Sequence, residues 1–113
     1  MGVFNAAFPV LPGQEDAARS FAKDVLGPRH DDFAAQQKEW GVTDELWTMQ
    51  TTPMGAFWLV YFEGDIEKTF TDLATSDSEF VSWFRGEIQT ITGVDLTQPP
   101  EGAQPEAFLE WKP

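Results

Sequence analysis

Few side chains in this sequence belong to the types that carry chemistry. Histidine occurs once, at His30, and imidazole is the group best suited to exchange a proton near neutral pH or to ligate a haem iron. Its neighbours are Arg29, Asp31 and Asp32. A nearby carboxylate would raise its pKa, but consecutive side chains on a helix do not face one another. His30 is therefore either a surface histidine at a helix kink or a base at the mouth of a pocket. His30-Asp31-Asp32 offers metal-ligand types without an i, i+4 pair on one face, so no metal site is expected. Cysteine is absent, which excludes disulfides, thiolate catalysis and cysteine-based zinc or iron–sulfur sites. There is no G-x-S-x-G elbow, and Pro12-Gly13 lacks the lysine of a phosphate loop. Nothing in the sequence calls for a cofactor.

Asn5 is a different kind of candidate. It interrupts the apolar run VFNAAFPV, and an amide there must find hydrogen-bond partners or lie against a cavity. Arg85, one of three arginines, could neutralise a substrate carboxylate or pair with a surface acid. Trp83 and Phe84 share a helical spacing with Phe80 and Ile88 and read as core. Trp58 and Tyr61 are three apart in one predicted strand and so face opposite sides. Tyr61 goes with Phe57 and Leu59, and Trp58 with Val60 and Phe62.

These residues must be positioned by a small set of elements. Val3 to Val10 reads as a first strand. Pro12-Gly13 closes it, and Gln14, Glu15 and Asp16 open a helix whose first turn favours acids. Ala18, Phe21, Ala22 and Val25 recur at helical spacing. Gly27-Pro28 breaks the pattern, which resumes at Asp31 or Asp32 and stops at Trp40-Gly41, giving one kinked helix or two. A hairpin follows, Glu45 to Thr52 and Ala56 to Glu63, turning on Pro53, Met54 and Gly55. Asp65 can cap a short helix carrying Ile66, Phe70 and Leu73. Ser76-Asp77-Ser78-Glu79 has the S-x-x-E capping-box pattern and precedes a helix that Gly93 ends. Val94 to Pro105, with three prolines and one glycine, reads as an ordered surface loop, and Glu106 to Trp111 as a short last strand.

The resulting order, β-α-β-β-α-β over a single domain of residues 1–113, is the α+β, ferredoxin-like plan with a four-stranded antiparallel sheet. Its first and third strands are central, and both are apolar on both alternations; its second and fourth are edges. Helices cover only one face of such a sheet, so the other face needs a cover. A second copy packed sheet against sheet, a homodimer, is the expectation. The net charge of -12, from 19 acidic and 7 basic residues, repels nucleic acid and anionic membranes, so neither is an expected partner. No basic n-region or long apolar run precedes the first strand, and a cytoplasmic location is expected.

Leu46-Trp47, Thr52-Pro53-Met54-Gly55, Tyr61-Phe62-Glu63-Gly64-Asp65, Ser76-Asp77, Phe80, Trp83-Phe84-Arg85 and Gly93-Val94-Asp95-Leu96 together resemble the dimeric α/β-barrel superfamily. Within it, the chain resembles a branch of unknown function related to the antibiotic-biosynthesis monooxygenases. The resemblance covers the second half well and the first half loosely. It implies a homodimer and a pocket between sheet and helices, without a settled activity, because that fold hosts oxygenases, isomerases, haem enzymes and binding proteins. In cofactor-free oxygenases of similar fold, polar and aromatic side chains on the sheet hold an aromatic substrate. That role would fall here to Asn5, Trp47, Trp58 and Tyr61. Two readings follow. The first is a domain that binds a small apolar or aromatic molecule, with Trp47, Trp58 and Arg85 as contacts. The second is a cofactor-independent monooxygenase or isomerase for a small aromatic or polyketide-like substrate, with His30, Asn5 or Tyr61 supplying polar contacts or a proton.

Overall fold

A computed structural model describes residues 2–100, 102 and 104–113. Its elements run β1 (Gly2–Val10), α1 (Glu15–Leu26), α2 (His30–Glu39), β2 (Asp44–Thr52), β3 (Gly55–Gly64), α3 (Ile66–Thr75) and α4 (Glu79–Thr92). The architecture is α+β. Three antiparallel strands in the order β1-β3-β2 are packed against four helices.

The hairpin forms as its sequence dictates. Pro53 and Met54 link the strands, and Thr52 pairs with Gly55, whose φ of 122° suits glycine. The Thr52 hydroxyl accepts from the Met54 N–H and donates to the Gly55 carbonyl, satisfying the turn internally. In β3 the strand period buries Ala56, Trp58, Val60 and Phe62 beneath the helices and turns Phe57, Leu59, Tyr61 and Glu63 to the other face.

Gly27-Pro28 yields two helices rather than a kink. The N–H groups of Gly27 and Arg29 both bond the Asp24 carbonyl, and that of His30 bonds Gly27, which turns the chain tightly. α1 buries Ala18, Phe21 and Val25 on one face. α2 has no fully buried residue of its own and is held at its ends. At its start, the Arg29 guanidinium lies 4.5 Å from the Trp83 ring centroid and bonds Glu79 at 2.8 Å. At its end, the buried Trp40 donates its indole N–H to Asp72 at 2.9 Å. Gly64 makes that corner possible: a Cβ there would come 3.1 Å from the Trp40 carbonyl and 3.0 Å from the Val42 side chain. Asp65 caps α3 by accepting from the Lys68 N–H. Gly93, at φ 76°, ends α4.

Four expectations need correction. Glu106–Trp111 is not a strand: it makes no ladder with the sheet, which has three strands instead of four. Consequently β1 is an edge and only β3 is central. Two helices connect β1 to β2 and two more follow β3, so the order is β-α-α-β-β-α-α instead of β-α-β-β-α-β. The cap of α4 is Ser78, which accepts from the Val81 N–H, and not Ser76; Ser76 already terminates α3 and its carbonyl is bonded by Arg85. Of the predicted loop from Val94 to Pro105, residues 101 and 103 lie outside the described residues. Asp95 organises its start by accepting from both the N–H and the hydroxyl of Thr97, and these bonds hold its carboxyl below the ordinary range.

Candidate functional site

The helix-facing side of β2 places Glu45, Trp47 and Met49 in one row. Trp47 enters an aromatic cluster. Its ring lies 5.0 Å from Trp58 and 5.4 Å from Phe21, with Phe33 and Phe84 beyond. The strand period that directs Trp47 inward directs Glu45 inward as well. The result is a carboxylate at the wall of an apolar space.

Two neutral donors hold that carboxylate. Gln37, on α2, donates its side-chain N–H to Oε1 at 2.7 Å. Trp47 donates its indole N–H to Oε2 at 2.6 Å. The turn after α2, where the Val42 N–H bonds the Gln37 carbonyl, brings Gln37 back over β2. Burial pushes the Glu45 carboxyl above the ordinary value of 4.5, and the bonds from Gln37 and Trp47 only partly oppose the shift. No cation contributes to that balance.

Between the sheet and the helices lies a cavity of about 60 Å³. Glu45 and Gln37 form its polar end. Trp47, Trp58, Phe62, Phe84 and other mainly apolar side chains from β1, α3, α4 and the Leu96 loop, with Thr69 of α3 among them, form the rest. At about 10–15 Å³ per water position, it has room for about four to six waters.

The predicted site residues separate into groups. Trp47 and Trp58 line the cavity together. Asn5 and Tyr61 are register partners on the opposite, uncovered face of the sheet, and Asn5 is exposed there instead of buried within a central strand. The Tyr61 hydroxyl donates to Glu63 at 2.8 Å, which raises the phenol above its ordinary value. His30 opens α2 on the surface with 60% of its side chain accessible and a 3.2 Å contact to Asp31; it does not line the cavity. Arg85 is committed to the backbone. It donates to the carbonyls of Leu73 at 2.7 Å and Ser76 at 3.1 Å, fastening the end of α3 to α4.

Sequence reasoning passed over Glu45 and Gln37. The signal for Glu45 was available: a strand that points Trp47 and Met49 inward must point Glu45 the same way. Gln37 could be found only from the way α2 returns over β2. Among the described residues no group of three or more His, Cys, Asp or Glu side chains is placed to hold a metal ion, and no helix is long and apolar enough to cross a membrane. Compared with known protein families, curated proteins and solved structures, the chain matches none.

Proposed function

We propose that the cavity binds a small aromatic molecule carrying one hydrogen-bond-donating group, a hydroxyl or an amine, which meets the carboxylate of Glu45. The observation that carries this is a half-buried carboxylate held by two neutral donors at the end of an aromatic cavity, with no counter-ion. Such a group costs stability unless a partner arrives. The ligand's ring would lie against the wall formed by Trp47, Trp58 and Phe84. As it stands the cavity is smaller than the ~150 Å³ that accommodates benzene, so ring entry requires the half-buried Val42 and Leu96 to move aside. The dimeric α/β-barrel superfamily that the sequence resembles shares an antiparallel sheet with helices on one face, but its fourth strand is not formed here.

The test is titration with phenol and aniline, followed by the NMR signals of the Trp47 indole N–H and the Gln37 side-chain amide. Saturable shifts at both are expected. Glu45→Gln should weaken binding by about tenfold or more, since a charge-assisted hydrogen bond contributes about 1.5–3 kcal/mol. Absence of any shift at millimolar ligand, or shifts confined to the opposite sheet face, refutes the reading.

A second reading is catalytic: a cofactor-independent isomerase or monooxygenase. The raised pKa of Glu45 in an apolar site favours it, because such a carboxyl can take and return a proton at a C–H or O–H of a bound substrate. Solvent deuterium entering a carbon-bound position of a bound enolisable compound, or oxygen uptake in the presence of a phenolic one, would support it over simple binding; both would vanish in Glu45→Gln.

A further inference from the structure

We propose that Glu106–Trp111 of one chain lies along the free edge of β1 in a second copy of the same chain, and that the exchange is reciprocal. This assembly does not depend on what the cavity binds.

Three observations converge on it. First, β1 is a nine-residue edge, GVFNAAFPV, without a single charged side chain. Edge strands ordinarily carry charges, bulges or a cover against pairing with another chain; here Pro9 is the one guard. Second, the C-terminal segment leaves its large apolar residues in water: Phe108 is 92% exposed, Leu109 78% and Trp111 76%. The strand period puts Ala107, Leu109 and Trp111 on one side and Phe108 and Glu110 on the other. The uncovered side of β1 presents only Val3, Asn5, Ala7 and Pro9, small side chains that leave room for an indole. Third, the segment does not use the edge of its own chain, although it could reach it. The Leu11 N–H bonds the Ile91 carbonyl at 2.8 Å, so α4 ends beside the end of β1. Nine residues separate Leu96, packed on the core, from the segment, and the ten steps from Leu96 to Glu106, at about 3.3 Å each, span roughly 33 Å.

The area is sufficient. Two aromatic rings per segment bury about 300 Å². Two-fold symmetry doubles this, and the surface they cover doubles it again, to about 1,200 Å², the lower limit for a specific stable interface. The exposed Val3 and Leu46, with Phe57, Leu59 and Tyr61 between them, continue the apolar surface across the uncovered sheet face.

The experiment is light scattering on the full chain across the micromolar range, with hydrogen exchange at the β1 amides. A dimer with protected β1 amides is expected. In the double variant F108D/W111D the dissociation constant should rise at least about a hundredfold, as for removal of two anchoring aromatics, and the β1 amides should exchange faster. A chain ending at Pro105 should behave the same way and serves if the double variant misfolds. A monomeric natural chain overturns the proposal, including a monomer whose β1 is protected by its own segment. So does a dimer that survives both changes, because its interface then lies elsewhere.

Discussion

Replacing Trp47 by Phe isolates the interaction that defines the candidate site. The change deletes the indole N–H that donates to Glu45 at 2.6 Å and leaves a ring among Phe21, Trp58 and Phe84. Two costs follow. The lost ring volume costs stability at every pH, because packing does not depend on protonation. The lost hydrogen bond does depend on it. Donated to a carboxylate it contributes about 1.5–3 kcal/mol, and to a neutral carboxyl about 0.5–1.5 kcal/mol. The difference, about 1–1.5 kcal/mol, corresponds to roughly a tenfold gain in proton affinity for Glu45 in the folded variant. The sign follows from linkage. In the natural protein the folded-state pKa of Glu45 is already raised above 4.5 by burial, so the folded state holds this proton more tightly than the unfolded chain. The Glu45 contribution to stability therefore falls as pH rises from the unfolded value through the folded one. Trp47→Phe raises the folded value further, so its deficit relative to the natural chain should grow by about 1–1.5 kcal/mol as pH rises above 4.5 through the folded-state values of the two proteins. Urea denaturation of both proteins at several pH values measures this directly, and the pH-independent packing cost cancels in the comparison. A deficit that is constant with pH, or that shrinks as pH rises, would show that the indole does not stabilise the ionised carboxyl.

Other consequences are simpler to read. Gly64→Ala should destabilise by about 1–3 kcal/mol, the cost of overpacking, because the new methyl meets the Trp40 carbonyl and the Val42 backbone; thermal unfolding measures it, and unchanged stability would mean the corner gives way freely. Asp72→Ala should cost about 1–3 kcal/mol by leaving the Trp40 indole without its acceptor, whereas Lys68→Ala, which removes only the exposed 3.0 Å ion pair, should cost under about 1 kcal/mol; equal losses would refute that ranking. The chain has one tyrosine, so an ultraviolet titration reports Tyr61 alone: its midpoint should lie above 10.0 and fall toward that value in Glu63→Gln. Phenol binding should be unchanged in both Tyr61→Phe and His30→Ala, since neither residue lines the cavity.

What was legible in the sequence is what local chemistry decides. Asp65 before an apolar helical face, Gly93 at a left-handed helix end, and Pro53-Met54-Gly55 between two β-rich runs each specify their structure without help from the rest of the chain. The S-x-x-E pattern at Ser76 misled because two serines compete. Ser76 is consumed in ending α3 and receiving Arg85, so Ser78 takes the cap. Glu106–Trp111 has strand-forming residues but no ladder partner within its own chain, and β-propensity without a partner does not make a strand. The two-sided apolar character of VFNAAFPV was read as burial in a central strand. It is found on an edge, paired on one side only, with β3. Asn5 shifted with it from a buried amide to an exposed one.

Stability alone gives no reason for a glutamate at position 45. Its carboxylate is removed from water without a cation, and two neutral donors only partly offset that burial. A glutamine would keep the shape and one of the two hydrogen bonds without a charge to desolvate, and a well-packed apolar residue in place of a buried charge is often more stable still. The remainder of the cavity wall obeys the ordinary rule for a core: aromatic and aliphatic side chains in contact, with few polar atoms. The one acidic group of that wall sits on a strand whose alternation offered a solvent-facing alternative at Leu46, which is instead 61% exposed. An apolar residue in water beside a half-buried carboxylate on the helix-facing side reverses the arrangement that folding energetics favours at both positions. Local departures of this kind, sustained against a small stability margin, are expected where a site is kept for binding or proton transfer. The pH dependence of Trp47→Phe and the ligand response of Glu45→Gln bear on that inference independently, the first through the energetics of the empty site and the second through its occupancy.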